Sequence, residues 1–353
     1  MNIWRWAEHF EAIPEKARIS LGEGDTPLIQ SRSIGPAAGL PHLFFKLESN
    51  NPTGSYKDRF AAAAISDMIA RGRTRCVATS SGNTGAALAA YSAATNIRCQ
   101  IAIVETAPEE KLRQMLAYGA ELYRVKGFGL DPQITSETFS LLREAAAQPE
   151  AALQISAFKY CPAGMSGVRS LALEIAEQLP GVDHVFSPAG GGGLTLATAQ
   201  GLPRRTNAAV HCVQPAGNDT IATPLRNGKL TAREVDCTSR ISGLQVANVI
   251  DGDAVIDACR ASGGTGHAVD DEFVWEIQRR LAEEEGVFAE PAGAVALAGA
   301  LQARANGEFS EDEDIVCLVT GSGFKDSASV ERMVSDRTCP VVEVADLSEA
   351  LRR

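Results

Sequence analysis

The chain is poor in the features that mark several large functional classes. Its eight cysteines stand singly, at Cys76, Cys99, Cys161, Cys212, Cys237, Cys259, Cys317 and Cys339, with no CxxC pair and no close histidine. That spacing argues against a zinc or disulfide framework, and no metal is expected. Several of these cysteines lie in apolar runs and read as small core residues in a reducing compartment. No stretch reaches the roughly 18 apolar residues that a membrane span requires. The richest, Ala292 to Leu301, is Ala- and Gly-rich and reads as a buried helix. The opening MNIWRWAEHFEAIPEK has no apolar core of secretory length, so a cytoplasmic location without a membrane partner is expected. Positive charge is also scarce: 33 Lys and Arg face 44 Asp and Glu, a formal net charge of −11. This disfavours a nucleic-acid partner, which needs a cationic surface that releases counterions. It does not exclude small anionic ligands, which local donors hold.

What is present is an ordinary globular composition, 45% hydrophobic and 22% charged over 353 residues. That length suggests two domains, or one large one, and suffices to enclose a deep cleft. Strand-like runs fall at Leu43–Leu47, Cys76–Thr79, Cys99–Val104, Glu121–Val125, His184–Ser187, Ala209–Gln214 and Ile315–Thr320. Helix-period stretches fall at Asp58–Ala70, Thr84–Ala94, Pro108–Tyr118, Ser136–Ala147, Arg169–Gln178, Asp271–Glu285 and Ala292–Ala305. Apolar strands alternating with helices predict an α/β fold with parallel sheets covered on both faces. Beyond Thr338 a final strand and helix are expected. Ligands in such folds collect at the carboxyl ends of strands, where loops lead into helices.

Four such junctions hold the unusual residues. In Asn50–Arg59 a turn containing Pro52 and Gly54 delivers Lys57 to the start of a helix. The positive helix terminus disfavours a cation there, which suits an amine nucleophile; the alternative is a solvated lysine before an exposed Asp58–Arg59 face. Thr79-Ser80-Ser81-Gly82-Asn83-Thr84-Gly85 offers N–H groups, hydroxyls and an amide at another helix start. It suits a carboxylate or phosphate, or else it is an ordinary N-cap. Ser187–Leu194 contains four consecutive glycines, which open backbone N–H groups to an anion or simply make a flexible turn. It lacks the Lys-Ser/Thr ending of a nucleotide-binding P-loop and the GxGxxG spacing of a dinucleotide fold. The fourth, Val319–Asp326, places the Thr320 hydroxyl among glycines at a strand end, fit to meet a ring edge or to form a plain turn.

In this order and at these separations the four segments resemble the fold-type II pyridoxal 5′-phosphate (PLP) enzymes, and within them threonine synthases. The likeness extends through Leu21–Leu28, Lys46-Leu47-Glu48, Pro52–Arg59, Ser80–Gly85, the glycine loop, Glu290-Pro291-Ala292 and Thr320–Gly323. The resemblance implies a tryptophan synthase β-like architecture. In it a large PLP-binding domain (1–59 and 158–353) carries a smaller mobile α/β domain (60–157), and the resemblance implies a homodimer. It implies Lys57 as the Schiff-base lysine and proton shuttle, and Asn83 beside the cofactor's 3′-oxygen. Gly190, Gly191, Gly192, Gly193 and Leu194 would wrap the phosphate, and Thr320 would meet the pyridine nitrogen. Ser80, Ser81 and Thr84 would hold the substrate carboxylate. A hydroxyl at the ring nitrogen leaves the ring neutral, which favours elimination and replacement at the β or γ carbon.

One segment departs from the threonine synthase pattern. Phe158–Ser170 lacks the arginine and glutamate that help recognise the phosphate of O-phosphohomoserine, although Lys159 and Arg169 offer positive charge. The expected activity is therefore threonine synthase-like, from O-phosphohomoserine and water to threonine and phosphate. The alternatives are a serine/threonine ammonia-lyase, which the SPAGGGGL loop resembles, or a cysteate synthase-like β-replacement enzyme. A non-catalytic binding protein is disfavoured by the retained lysine. His267 reads as a solvated turn residue or a substrate contact, and Arg240 and Ser242 as cleft lining or structural loop.

Overall fold

The computed structural model describes residues 1–80, 82–202 and 206–352. Its ten strands among these residues are β1 (Leu28–Gln30), β2 (Leu43–Leu47), β3 (Arg75–Thr79), β4 (Arg98–Ile103), β5 (Glu121–Arg124), β6 (Ala151–Gln154), β7 (His184–Pro188), β8 (Ala209–Pro215), β9 (Gly266–Val269) and β10 (Ile315–Val319). They form a six-stranded sheet in the order β1-β2-β10-β7-β8-β9 and a four-stranded sheet in the order β5-β4-β3-β6. Only β1 runs antiparallel to its neighbour; the other pairings are parallel. The parallel arrangement follows from the residues: β8 and β10 are buried along their whole length, as strands covered on both faces must be. The helix Pro291–Ala305 lies against this sheet, where Gly299 lets it close on β8; a Cβ there would stand 2.6 Å from Val213 Cγ1.

All seven expected strands and all seven expected helices are present. The helix expected from Ser136 starts earlier, at Pro132, because Asp131 accepts from Gln133 N at 2.7 Å and Ile134 N at 3.2 Å. That cap, followed by proline in the first turn, fixes the start. The tail carries the helix Val344–Ala350 but no strand before it among the described residues. Its Val341 is wholly exposed, and without a sheet edge to pair with, a β-rich run stays irregular.

The Asp58–Arg59 pair, read as a possible solvated face, is buried completely. Arg59 Nε donates to Glu48 at 2.7 Å, and Nη1 and Nη2 each donate to Glu174 at 2.7 Å, with Ser170 and Thr26 completing the set. Lys46 Nζ bonds the same Glu174 at 2.9 Å, together with Thr26 O and Gln178. Two cations and two carboxylates thus neutralise one another in the core, and Arg59 and Lys46 hold the Glu174 carboxyl well below its usual range. The backbone N–H groups of Asp25 and Thr26 also donate to Glu174, and Gly24 N donates to Asn51. The Leu21–Leu28 and Lys46–Glu48 motifs therefore brace the base of the helix Lys57–Ala70.

His267 is not a solvated turn residue. It lies in β9, 1% exposed, at the end of a row of imidazoles that crosses β7, β8 and β9. His184 Nδ1 stands 3.0 Å from His211 Nε2, and His211 Nδ1 stands 3.2 Å from His267 Nε2. Phe186 stacks on His211 with ring centroids 4.4 Å apart. Burial drives the His211 and His267 pKa values down, to about 4 for His267.

Candidate active site

Direct contacts link the four junctions. Lys57 is the first residue of the helix Lys57–Ala70, half-buried, with its Nζ donating to Ser156 Oγ at 2.7 Å. Tyr56 lies beneath it, its ring centroid 4.6 Å from Nζ. Ser156 also meets the glycine loop: its carbonyl oxygen is 3.4 Å from the place a Gly193 Cβ would take. On the other side, Tyr56 N donates to Thr320 O at 3.0 Å and Ser55 bridges to Gly321. Gly321 in turn abuts Glu290, whose Oε1 accepts from Asn83 Nδ2 at 2.8 Å. Lysine, glycine loop, strand-end threonine and serine-rich loop thus surround one place.

The glycine loop is built to leave N–H groups free. Gly192 caps the helix Gly193–Gly201 at φ 95°, a left-handed conformation, and no side chain caps the helix. The first intrahelical bond runs from Leu196 N to Gly192 O at 3.0 Å, so the N–H groups of Gly193, Leu194 and Thr195 precede it. Gly190 and Gly191 pass close to Val246 and Ile250: a Cβ there would stand 3.1 Å from Val246 Cγ2 and 3.3 Å from Ile250 Cδ1. Gln214 donates to Gly190 O at 3.2 Å while accepting from Ile221 N and Ala222 N, which pins the loop. The Leu194 side chain is buried in the core, which leaves its backbone as the group able to meet an anion.

Ser80 does not present a free oxygen, because its Oγ accepts from Gly85 N at 3.1 Å and Gly82 N at 3.3 Å. Capping and ligand contact are compatible here, since the hydroxyl hydrogen is still available. Thr84 and Thr320 are buried, and Ser81 lies outside the described residues. Arg169 is not brought to Lys57: it packs over the Phe158 ring, and its Nε donates to Gln200 at 3.0 Å. Lys159 is exposed, with Nζ over the Tyr160 ring, while its backbone N–H and that of Phe158 bond Asp251. Arg240 lies over Trp275, whereas Ser242 accepts from Lys111 Nζ.

Sequence reasoning assigned no role to Ser156, Asp251, Glu290 or the charged groups around Glu290. Lys111 Nζ pairs with Asp326 at 2.7 Å, and Lys325 Nζ donates to Gln114 Oε1 at 2.6 Å. Burial pushes the Asp58 and Glu290 carboxyls up to about 7, and burial lowers Lys325. Asp251 lies close to Gly193, and burial raises its pKa as well. Glu290 had a signal, the Glu290-Pro291-Ala292 motif, and Lys325 and Asp326 close the Val319–Asp326 junction; Ser156, Asp251 and Lys111 had none.

The donor set fits PLP: a primary amine, an uncapped helix start among glycines, and a buried hydroxyl with no carboxyl in its own position. Comparison with known proteins agrees. The sequence model of the family described as "Pyridoxal-phosphate dependent enzyme" matches residues 19–321. The chain is 31% identical to threonine synthase of Methanocaldococcus jannaschii over 92% of this chain and 81% of that protein. It is 30% identical to threonine synthase of Halalkalibacterium halodurans, over 92% and 91%. Among solved structures, the processed form of threonine deaminase isoform 2 from Solanum lycopersicum superposes with a TM-score of 0.76 at 19% identity, covering 96% of this chain and 94% of that one, a likeness of fold. O-ureido-L-serine synthase superposes with a TM-score of 0.71 at 25% identity, over 92% and 96%. With its four loops meeting around one lysine, the chain belongs to the fold-type II pyridoxal-phosphate dependent enzymes and, among them, is related to the threonine synthases.

Proposed function

We propose that this enzyme catalyses elimination and replacement on an amino acid, with O-phosphohomoserine and water giving threonine and phosphate as the first reading. The observation that carries it is the convergence of Lys57, Ser156, the Gly190–Gly193 loop, Asn83 and Thr320. PLP bound here would supply an aldehyde for a lysine amine and a ring able to draw electrons from the substrate's α-carbon. Lys57 holds the cofactor and moves the α-proton, and Ser156 orients its amine through the 2.7 Å hydrogen bond. The free N–H groups of Gly193 and Leu194 bind the phosphate, as helix N-termini do. The Thr320 hydroxyl would donate to the ring nitrogen, and the Asn83 amide would meet the 3′-oxygen. Ser80, Ser81 and Thr84 hold the substrate carboxylate. The four-stranded sheet and its helices, expected as a mobile unit over 60–157, close on the substrate and exclude water that is not a reactant.

A second reading, a serine/threonine ammonia-lyase, is favoured by one observation. Arg169 is engaged with Phe158 and Gln200, so the Phe158–Ser170 segment brings no free arginine to a substrate phosphate. Purified protein assayed with O-phosphohomoserine, threonine, serine and O-phosphoserine separates the readings. Threonine and phosphate from the first substrate support synthase; 2-oxo acids and ammonia from threonine or serine support lyase. Turnover of none of the four, by protein carrying PLP, would refute both.

A further inference from the structure

Glu290 occupies the N-cap of the helix Pro291–Ala305, yet its carboxyl caps nothing there. It turns away from its own helix to take the Asn83 amide at 2.8 Å. The turn after β10 is shaped around it: a Cβ on Gly321 would lie 2.2 Å from Glu290 Oε1 and 3.3 Å from Asn83 Nδ2. The backbone locks the same place, since Glu290 N donates to Gly321 O at 3.0 Å and Ala289 bridges to Ser322. A buried carboxyl that forgoes its own helix to hold a neighbouring amide is spent on orientation.

We infer that Glu290 is a positioning residue for the cofactor ring, acting through Asn83. A charged carboxylate can only accept, so it holds the amide with Nδ2 toward itself and fixes which amide end remains for the ring. A protonated Glu290 gains a donor and no longer dictates that choice. The inference rests on the proposed placement of Asn83 beside the cofactor. Four charged groups bear on Glu290 or its cation. Lys111 comes from the helix Glu109–Ala117; Lys325 and Asp326 come from the turn beyond Gly321; Asp58 acts on Lys325 from the helix Lys57–Ala70. Burial outweighs the two lysines and pushes Glu290 up to about 7, so the switch between its two states lies at neutral pH.

The test is the visible spectrum of the holoenzyme titrated across neutral pH. The wild-type band is expected to change in one step centred near pH 7. Glu290→Gln, close in shape and able to accept through its amide oxygen, should keep the cofactor and lose the step. Asn83→Ala should lose it too, because the effect passes through that amide. A step that survives in Glu290→Gln, or a wild-type band that is flat across this range, overturns the role of Glu290 while leaving the PLP assignment intact. If wild-type protein saturated with PLP showed no lysine-dependent visible band at all, the underlying reading would fail instead. Far-UV circular dichroism and cofactor stoichiometry on each variant separate loss of the step from loss of the fold.

Discussion

Replacing Arg59 by Met removes a fully buried guanidinium that donates to Glu48, Glu174, Ser170 and Thr26. The two carboxylates then fare differently. Glu174 keeps Lys46 at 2.9 Å as a counter-ion and the N–H groups of Asp25 and Thr26 as donors. Glu48 keeps only Thr26 Oγ1 at 2.6 Å and Asn51 Nδ2 at 2.9 Å, neither of them charged. An uncompensated buried charge left in this way costs about 3–5 kcal/mol. Urea unfolding of the apo and PLP-loaded proteins at neutral pH measures the loss. Replacing Glu48 as well, in Arg59→Met/Glu48→Met, removes the orphaned charge. The double variant should be more stable than Arg59→Met alone, an interaction that a double-mutant cycle isolates. If Arg59→Met lies within about 1 kcal/mol of wild type, the core network is not sustained by charge pairing as described.

Two further predictions follow the same lines. Gly192→Ala forces a side chain into a left-handed position and sets a Cβ 2.7 Å from Val255 Cγ2 and 3.0 Å from Ile221 Cδ1. Strain and overpacking together should cost about 2–5 kcal/mol and weaken PLP binding in a fluorescence titration, whereas unchanged affinity would argue against this loop as the phosphate site. For the histidine row the sign is set by burial, which lowers the His267 pKa from 6.5 to about 4 in the fold. The unfolded chain therefore takes up a proton first, and this contribution to stability is present above pH 6.5 and lost as the pH falls toward 4. Asp58 and Glu290, raised to about 7, act in the opposite direction over this range, so the difference between His267→Gln and wild type is the clean measure. That difference should shift by about 3 kcal/mol in favour of the variant on acidification; an unchanged difference in thermal melts would refute the assignment.

The parts of the molecule legible in the sequence are those where neighbours in the chain do the work. The long strands are contiguous apolar runs, the long helices have apolar periodicity, and each glycine- or serine-rich loop announces itself at a strand end. The missed strands β1, β6 and β9 hold three or four residues each and owe their form to the edge they pair with. Ser156 lies two residues beyond the end of β6, so the residue that orients Lys57 sat in an unmarked stretch. The Asp58–Arg59 pair looked like a solvated face because its partner Glu174 lies more than a hundred positions away. Charge in a sequence says which groups need compensation, and only the fold says where it is found.

The Phe158–Ser170 departure takes on a structural meaning from the same packing. A Cβ on Gly164 would meet Phe60 Cε2 at 2.5 Å, and one on Gly167 would meet Arg59 O at 2.6 Å. The helix Pro162–Val168 therefore lies backbone-close on the helix that begins at Lys57, and large or charged residues at those two places are excluded. Small residues there serve to hold Lys57's helix, while Arg169 beyond it faces Gln200. The cations whose charge bears on Glu290 are Lys325 and Lys111, and both are already engaged, with Gln114 and Asp326. A phosphorylated substrate drawing on either must displace a partner that a neutral leaving group leaves undisturbed. Loss of the Lys111–Asp326 pair in Asp326→Asn then has different expected consequences under the two readings. It frees a cation for O-phosphohomoserine and lowers its KM, whereas turnover of unphosphorylated threonine gains nothing from it.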